Sequence, residues 1–254
     1  MSRHRPSAAP ALRGADWALF LDIDGTLLDL APTPDLVRVP ATLPAVLGGL
    51  EACLGGALAL ISGRDLAAID RLFPGQHDAA GAHGAQWRLN GRIAGVAAFA
   101  EEGLVQTTLR QAAALPGIMV ERKAAALAFH YRHATDHGHA ARALAERLRA
   151  AAAVPLRVQE GKMVVEVVPA GADKGTAIER FLDLPPYLGR RPLFIGDDIT
   201  DESGFAVVNR LDGLSIHVGR DETTAGRRLS SPRAVRRWLA WTLGNCKGND
   251  HEHA

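Results

Sequence analysis

The sequence predicts an α/β protein, an open parallel sheet layered with helices, with a smaller α+β layer inserted near its middle. Three patterns predict it. Short, mainly apolar runs at residues 18–21, 57–61, 192–195 and 214–218 have the character of strands covered on both faces. Most of these runs end in a polar, glycine-containing loop and are followed by a helical stretch, the texture of a sheet that gathers its functional groups at the carboxyl ends of its strands. Between about residues 97 and 169 the pattern changes to strand pairs alternating with single helices. The expected division is therefore a core of residues 1–96 and 172–254 interrupted by an α+β cap over 97–171.

A chain of 254 residues is long enough to bury a substantial core. Its 29 Lys plus Arg nearly balance 28 Asp plus Glu, so bulk charge points to no nucleic acid and no membrane surface as partner. Any anion site must be local. Two cysteines, Cys53 and Cys246, are too few for a disulfide framework or a thiolate zinc site, which makes a reducing cytoplasm the expected location and Cys53 core filler. No uninterrupted apolar segment precedes the first strand and no run approaches the ~20 residues of a membrane span, so a soluble, non-secreted protein is expected.

The first strand delivers Asp22-Ile-Asp24-Gly25-Thr26. Two carboxylates one residue apart can approach one hard cation, and one can attack phosphorus while the other moves protons. Taken alone, the motif could also be an acidic turn. The proline-rich stretch 31–40 is too broken for a helix; residues 41–54 read as one, closed by Gly55-Gly56. The second strand, 57–61, ends in Ser62-Gly63-Arg64, where a hydroxyl, exposed backbone N–H groups and a guanidinium at a helix start suit a phosphate. Ser62 could equally be the helix N-cap and Arg64 a solvated charge. A third strand from Asp78 runs into Gly81-Ala-His83-Gly84, and a hairpin about Asn90-Gly91 joins 86–89 to 92–96. His83 could line a site or be a turn histidine. The cluster His130, His133, His137 and His139 matches no zinc spacing.

In the middle region a helix over 99–115 precedes paired strands at 118–121 and 126–132, a long alanine-rich helix over 137–152, and strands at 156–159 and 163–168 turning at Glu160-Gly161. A lid beside a catalytic loop excludes water and supplies substrate contacts. Lys162 and Glu166 are placed on one face of a strand, as hydroxyl-binding residues or as an exposed pair. Asp173 then caps a helix over 174–182, and Lys174 in its first turn is electrostatically misplaced unless anions lie nearby. The strand 192–195 runs into Gly196-Asp197-Asp198-Ile-Thr-Asp201-Glu202, whose four acids would repel without a cation. Mg²⁺ resolves that repulsion. A closing helix over 232–243 and a frayed tail from Gly244 complete the chain.

Together and in this order, Asp22-Ile-Asp24-Gly25-Thr26, Ser62-Gly63-Arg64, Lys174-Gly175 and Gly196-Asp197-Asp198-Ile-Thr200-Asp201 resemble the four motifs of the haloacid dehalogenase-like phosphatases. Within that superfamily, Gly81-Ala-His83-Gly84-Ala, Gly161-Lys162 through Glu166 to Pro169, Lys174-Gly175-Thr-Ala177 and Gly196 to Glu202 are similar to signatures of the trehalose-6-phosphate phosphatases. The resemblance runs from about Leu19 to Val218. It implies a Rossmann-like haloacid dehalogenase core with a parallel sheet and an inserted α+β cap domain. It also implies Mg²⁺-dependent hydrolysis of trehalose 6-phosphate to trehalose and phosphate, a step of trehalose biosynthesis, through an aspartyl-phosphate. In that mechanism Asp22 is the nucleophile and Asp24 the general acid and base. Mg²⁺ is held by Asp22, the backbone carbonyl of Asp24 and Asp197, with Asp198 or Asp201 sharing or supporting the metal. Ser62 and Lys174 hold the phosphoryl oxygens, Thr26 orients Asp24, and Arg64, His83, Lys162 and Glu166 meet the sugar. The partner implied is a small-molecule sugar phosphate; a monomer, with association with a trehalose-6-phosphate synthase, is compatible with it. Gln86 and Val168 depart from the acidic and basic residues often found at those places. Alternatives are a sucrose-6-phosphate or hexose-phosphate phosphatase, a mutase, and a catalytically silent sugar-phosphate sensor or synthase subunit.

Overall fold

The computed structural model describes residue 12 and residues 16–31, 36–74, 77–96, 99–123, 125–161 and 163–247. Its larger sheet has eight strands in the order β12-β11-β10-β1-β2-β3-β4-β5. These are β1 (Trp17–Leu21), β2 (Leu58–Ile61), β3 (Asp78–Gly81), β4 (Gln86–Leu89), β5 (Arg92–Val96), β10 (Arg191–Gly196), β11 (Leu214–Val218) and β12 (Arg227–Leu229). From β12 to β3 every neighbouring pair is parallel, while β4 and β5 add an antiparallel hairpin at one edge. Asn90 (φ 51°) and Gly91 (φ 73°) both take the left-handed conformation that a tight hairpin turn needs.

Alternating residues of the central strand face opposite layers. Leu19 and Leu21 pack with α1 (Leu43–Cys53), α2 (Leu66–Leu72) and α7 (Pro232–Lys247). Ala18 and Phe20 pack with α5 (Lys174–Leu182) and α6 (Glu202–Arg210). Both faces are thus covered, which is why β1 reads as a continuous apolar run.

The chain leaves β1 for β2 and β3 on one side and returns to β10 and β11 on the other, so a topological switch point lies between β1 and β10. Ligands bind at the carboxyl ends of strands at such points. Asp22 and Asp197 follow directly on those two ends.

A second, antiparallel sheet has the order β6-β7-β9-β8: β6 (Met119–Lys123), β7 (Ala126–His130), β8 (Leu156–Gly161) and β9 (Val164–Pro169). One face, including Leu127, Phe129, Val165 and Val167, packs on α3 (Glu102–Ala113) and α4 (Gly138–Ala151). The opposite face presents Gln159 directly across from Glu166 and Arg157 directly across from Val168. A small cluster of Ala82, Ala85, Ala125 and Ala172 joins the two sheets' neighbourhoods.

Several sequence expectations need correcting. Glu160 and Gly161 are paired within β8, so the β8–β9 turn lies beyond them. The three-residue strand β12 has no apolar run and was not expected. Helix α7 continues through Gly244 to Lys247 where a frayed tail was expected. Its end is held because Cys246 is bonded to Cys53 at the end of α1, across a sequence separation of 193. Cys53 is therefore a disulfide partner and not core filler, and cysteine usage no longer argues for a reducing compartment. Among the described residues no helix is long and apolar enough to cross a membrane.

Candidate active site

Asp22 leaves β1 buried, its backbone N–H donating to the carbonyl of Ile195. Lys174, at the first position of α5, donates from Nζ to Asp22 Oδ1 at 2.8 Å and to Asp201 Oδ1 at 2.5 Å. The misplaced lysine of the sequence is thus a buried cation between two buried carboxylates. Gly25 turns the chain at φ 81°, and a Cβ there would stand 2.0 Å from Asp197 Oδ2, so this glycine makes room for the third carboxylate. Thr26 Oγ1 donates to Asp197 Oδ1 at 3.1 Å, so it orients Asp197 and not Asp24 as expected.

The second carboxylate of the first motif points elsewhere. Asp24 accepts a two-pronged contact from Arg64, Nε to Oδ2 at 2.6 Å and an η nitrogen to Oδ1 at 2.7 Å. This fork-to-fork geometry fixes the carboxylate plane. Asp65, not Ser62, caps α2, accepting from the Ala68 N–H. Ser62 stays buried with its hydroxyl accepting from the Arg64 N–H at 3.1 Å.

Asp22, Asp197 and Asp201 each bring a carboxylate oxygen within 4.8 Å of the others. Burial raises Asp22 well above the usual carboxylate range, Lys174 offsetting part of this while Asp201 and Asp197 add to it. Burial, then Asp201, pushes Asp197 up to about 6. Against burial, which lowers it, Asp201 and Asp22 hold the Lys174 ammonium above its ordinary value. Three crowded hard oxygen donors with one shared ammonium retain unbalanced negative charge, and that donor set fits Mg²⁺. Asp198 is exposed and outside the cluster: its side chain accepts from the Ile199 N–H at 2.7 Å, while Asp201 Oδ2 accepts from the Asp197 and Asp198 N–H groups, both at 2.9 Å. Asp201 therefore offers one oxygen to the backbone of the preceding loop and the other to Lys174.

A cleft of about 480 Å³ opens from Lys174 between the two sheets' neighbourhoods, with His83 and Ser203 on the core side and Arg157 and Gln159 on the other. Such a volume suits a small organic ligand. His83 takes φ 56°, which turns its ring toward the facing sheet, where Nε2 stands 3.8 Å from Glu166 Oε2. Lys123 Nζ donates to the other Glu166 oxygen at 2.5 Å. Burial, then Lys174, lowers His83 to about 4 against the opposing pull of Glu166.

A family model for trehalose-phosphatase matches residues 20–234. The chain belongs to the trehalose-phosphatase family. It is similar to a protein of Sinorhizobium fredii named as a probable trehalose-phosphate phosphatase, 50% identical over 207 residues that cover 80% of this chain and 78% of the relative. It is also similar to a trehalose-6-phosphate phosphatase of Escherichia coli, 44% identical over 232 residues, 89% of this chain and 86% of that one. Among solved structures, a trehalose-6-phosphate phosphatase related protein shares 25% identity with a TM-score of 0.75, covering 91% of this chain and 99% of its own. The fold is also similar to that of a phosphatase of the haloalkanoate enzyme superfamily from Bacteroides thetaiotaomicron, with a TM-score of 0.61 at 16% identity, covering 94% of this chain and 100% of that one.

Of the residues anticipated for this trehalose-phosphatase family member, the structure gathers buried Asp22, Thr26, Lys174 and Asp201 with half-buried Asp197 into one group, and pairs Asp24 with Arg64. Lys162 lies outside the described residues. Sequence reading missed Lys123, Arg157 and Gln159. Their strand alternation was readable, but which face meets the core depends on pairing register. Gln86, one of the two departures, has a local explanation: its Oε1 accepts from the Leu66 N–H at 3.1 Å at the start of α2.

Proposed function

We propose that this protein hydrolyses the phosphomonoester of trehalose 6-phosphate, with Mg²⁺ held by Asp22, Asp197 and Asp201. The observation that carries the proposal is the buried Asp22–Lys174–Asp201 arrangement at the switch point of the sheet, opening into a ligand-sized cleft. Asp22 Oδ attacks phosphorus, and the bond from phosphorus to the sugar oxygen breaks. Asp24 delivers a proton to the departing sugar oxygen; its carboxylate then takes a proton from the water that attacks the aspartyl-phosphate, releasing phosphate and restoring Asp22. Arg64 must yield at least one Asp24 oxygen during these transfers, since both are occupied in this conformation. Lys174 and the Ser62 hydroxyl hold phosphoryl oxygens, and the rest of the rate enhancement is positioning and charge compensation. The metal, when bound, lets the phosphate approach a nest of carboxylates by offsetting their charge. In this reading Glu166, whose Oε1 accepts from Lys123, and His83 meet sugar hydroxyls.

The test is phosphate release from trehalose 6-phosphate, sucrose 6-phosphate and glucose 6-phosphate with Mg²⁺, alongside an EDTA control. The expected result is a strong preference for trehalose 6-phosphate that EDTA removes. Equal rates on all three would make the protein a general sugar-phosphate phosphatase. No release from any would make it a sensor.

A further inference from the structure

Several large apolar side chains are exposed among the described residues, Ile199 the most of them. It is 78% exposed and belongs to none of the apolar clusters among the described residues. It nevertheless lines the cleft, where, among the described residues, Ala170 is the only other apolar lining residue and the rest are polar or charged. Its place is held firmly. The Ile199 N–H donates to Asp198, and Asp201 Oδ2 gathers the two preceding backbone N–H groups, so the carboxylate that joins the buried cluster also sets where Ile199 projects. An isoleucine has no capping or solubilising use at such a position, and water around it is easily displaced by a ligand.

Depth in the cleft decides which part of a ligand reaches it. The phosphoryl end must sit by Asp22 and Lys174, whose side chains are only 6% and 4% exposed. Ile199, 78% exposed, is on the solvent side of the same cleft that Arg157 and Gln159 of β8 line. A pyranose ring carries hydroxyls on its edge and C–H groups on its faces, so a wall of hydrogen-bonding side chains facing one apolar side chain matches it.

We propose that Ile199 is a specificity-determining residue, the apolar platform for the sugar ring that does not carry the phosphate. This rests on the phosphatase reading above. In that role Ile199 meets a ring that a monosaccharide phosphate lacks, so the contact discriminates by substrate length.

The experiment is steady-state kinetics of wild type, Ile199→Ala and Ile199→Leu on trehalose 6-phosphate, glucose 6-phosphate and p-nitrophenyl phosphate. Removing several methyl and methylene groups from one apolar contact should raise KM for trehalose 6-phosphate about 10-fold in Ile199→Ala, with kcat changed less than about twofold. The ratio of kcat/KM for trehalose 6-phosphate to that for each shorter substrate should fall by the same factor, and Ile199→Leu should restore most of it. An unchanged ratio in Ile199→Ala, an equal loss on all three substrates, or no recovery with Leu overturns the platform while leaving the phosphatase reading in place. A wild type with no preference for the disaccharide phosphate overturns both.

Discussion

Lys174, buried, and His83, half-buried, are two basic groups that the fold drives in opposite directions. Lys174 shares its ammonium between Asp22 and Asp201, so its removal would leave both carboxylates buried without their cation. Lys174→Met should lower stability in urea by about 3–5 kcal/mol in the absence of metal, the usual cost of breaking a buried pair. Added Mg²⁺ should return part of that loss by binding the folded state. A variant as stable as wild type without metal would show that the pairing is not what neutralises the cluster. His83 is neutral in the fold down to about pH 4, whereas in the unfolded chain it takes up a proton near 6.5. Between those values the unfolded state binds more protons, so stability falls as pH falls through the window. Asn tolerates the positive φ of His83 and does not titrate. Thermal and urea unfolding at pH 7 and pH 5 should therefore show wild type losing about 2 kcal/mol more than His83→Asn. Equal losses would mean that His83 is not held neutral. These roles were partly legible at the level of single residues. A lysine at a helix start and four acids at a strand end both signal a missing counter-charge, but the identity of that counter-charge is not local.

The 3₁₀ turn Ile199–Asp201 shows what one short element can decide. Its capping box is reciprocal: Asp198 serves the turn's backbone, and Asp201 serves the backbone before it while presenting its other oxygen to Lys174. Two adjacent-looking acids thus have different duties, which the spacing Asp-Asp-x-Thr-Asp does not reveal. Asp198→Ala should cost about 1 kcal/mol as a lost cap. As a support of the turn, its loss should lower Mg²⁺-dependent turnover by about 10-fold, the scale of an outer-layer defect. Asp201→Asn should abolish turnover over the same Mg²⁺ range. If Asp198→Ala were the more damaging in a Mg²⁺ titration of phosphate release, the assignment of these two acids would be reversed. Elsewhere the elements with strong apolar periodicity were read to within a few residues. The exceptions were β12, whose Arg-Arg-Leu has no strand pattern, and the β8–β9 turn. There a glycine and a glutamate signal a turn, but ladder pairing with Val164 and Val165 continues the strand.

The whole molecule is closed by a bond between its two distant cysteines, which ties the end of α7 to the end of α1. A cross-link over so long a loop restricts the unfolded chain, and reduction or Cys246→Ser should lower stability by about 2–4 kcal/mol. Thiol titration of protein kept from reductant should find no free cysteine, and thermal unfolding with and without reductant should show the loss; two free thiols and one common Tm would contradict the bond. By itself the sequence determined the α/β class, the inserted α+β layer, the order of the acidic and basic loops and the chemistry that those residue types can perform. These follow from local facts: apolar periodicity, glycine and proline punctuation, and the kinds of side chain at strand ends. Only the tertiary structure decided that Lys174 bridges Asp22 and Asp201, that Thr26 serves Asp197, that Arg64 clasps Asp24, and which face of the smaller sheet looks into the cleft. Each of those pairings joins residues far apart in the chain, and strand register and crossover geometry, which bring them within a few ångströms, are set by packing over the whole fold.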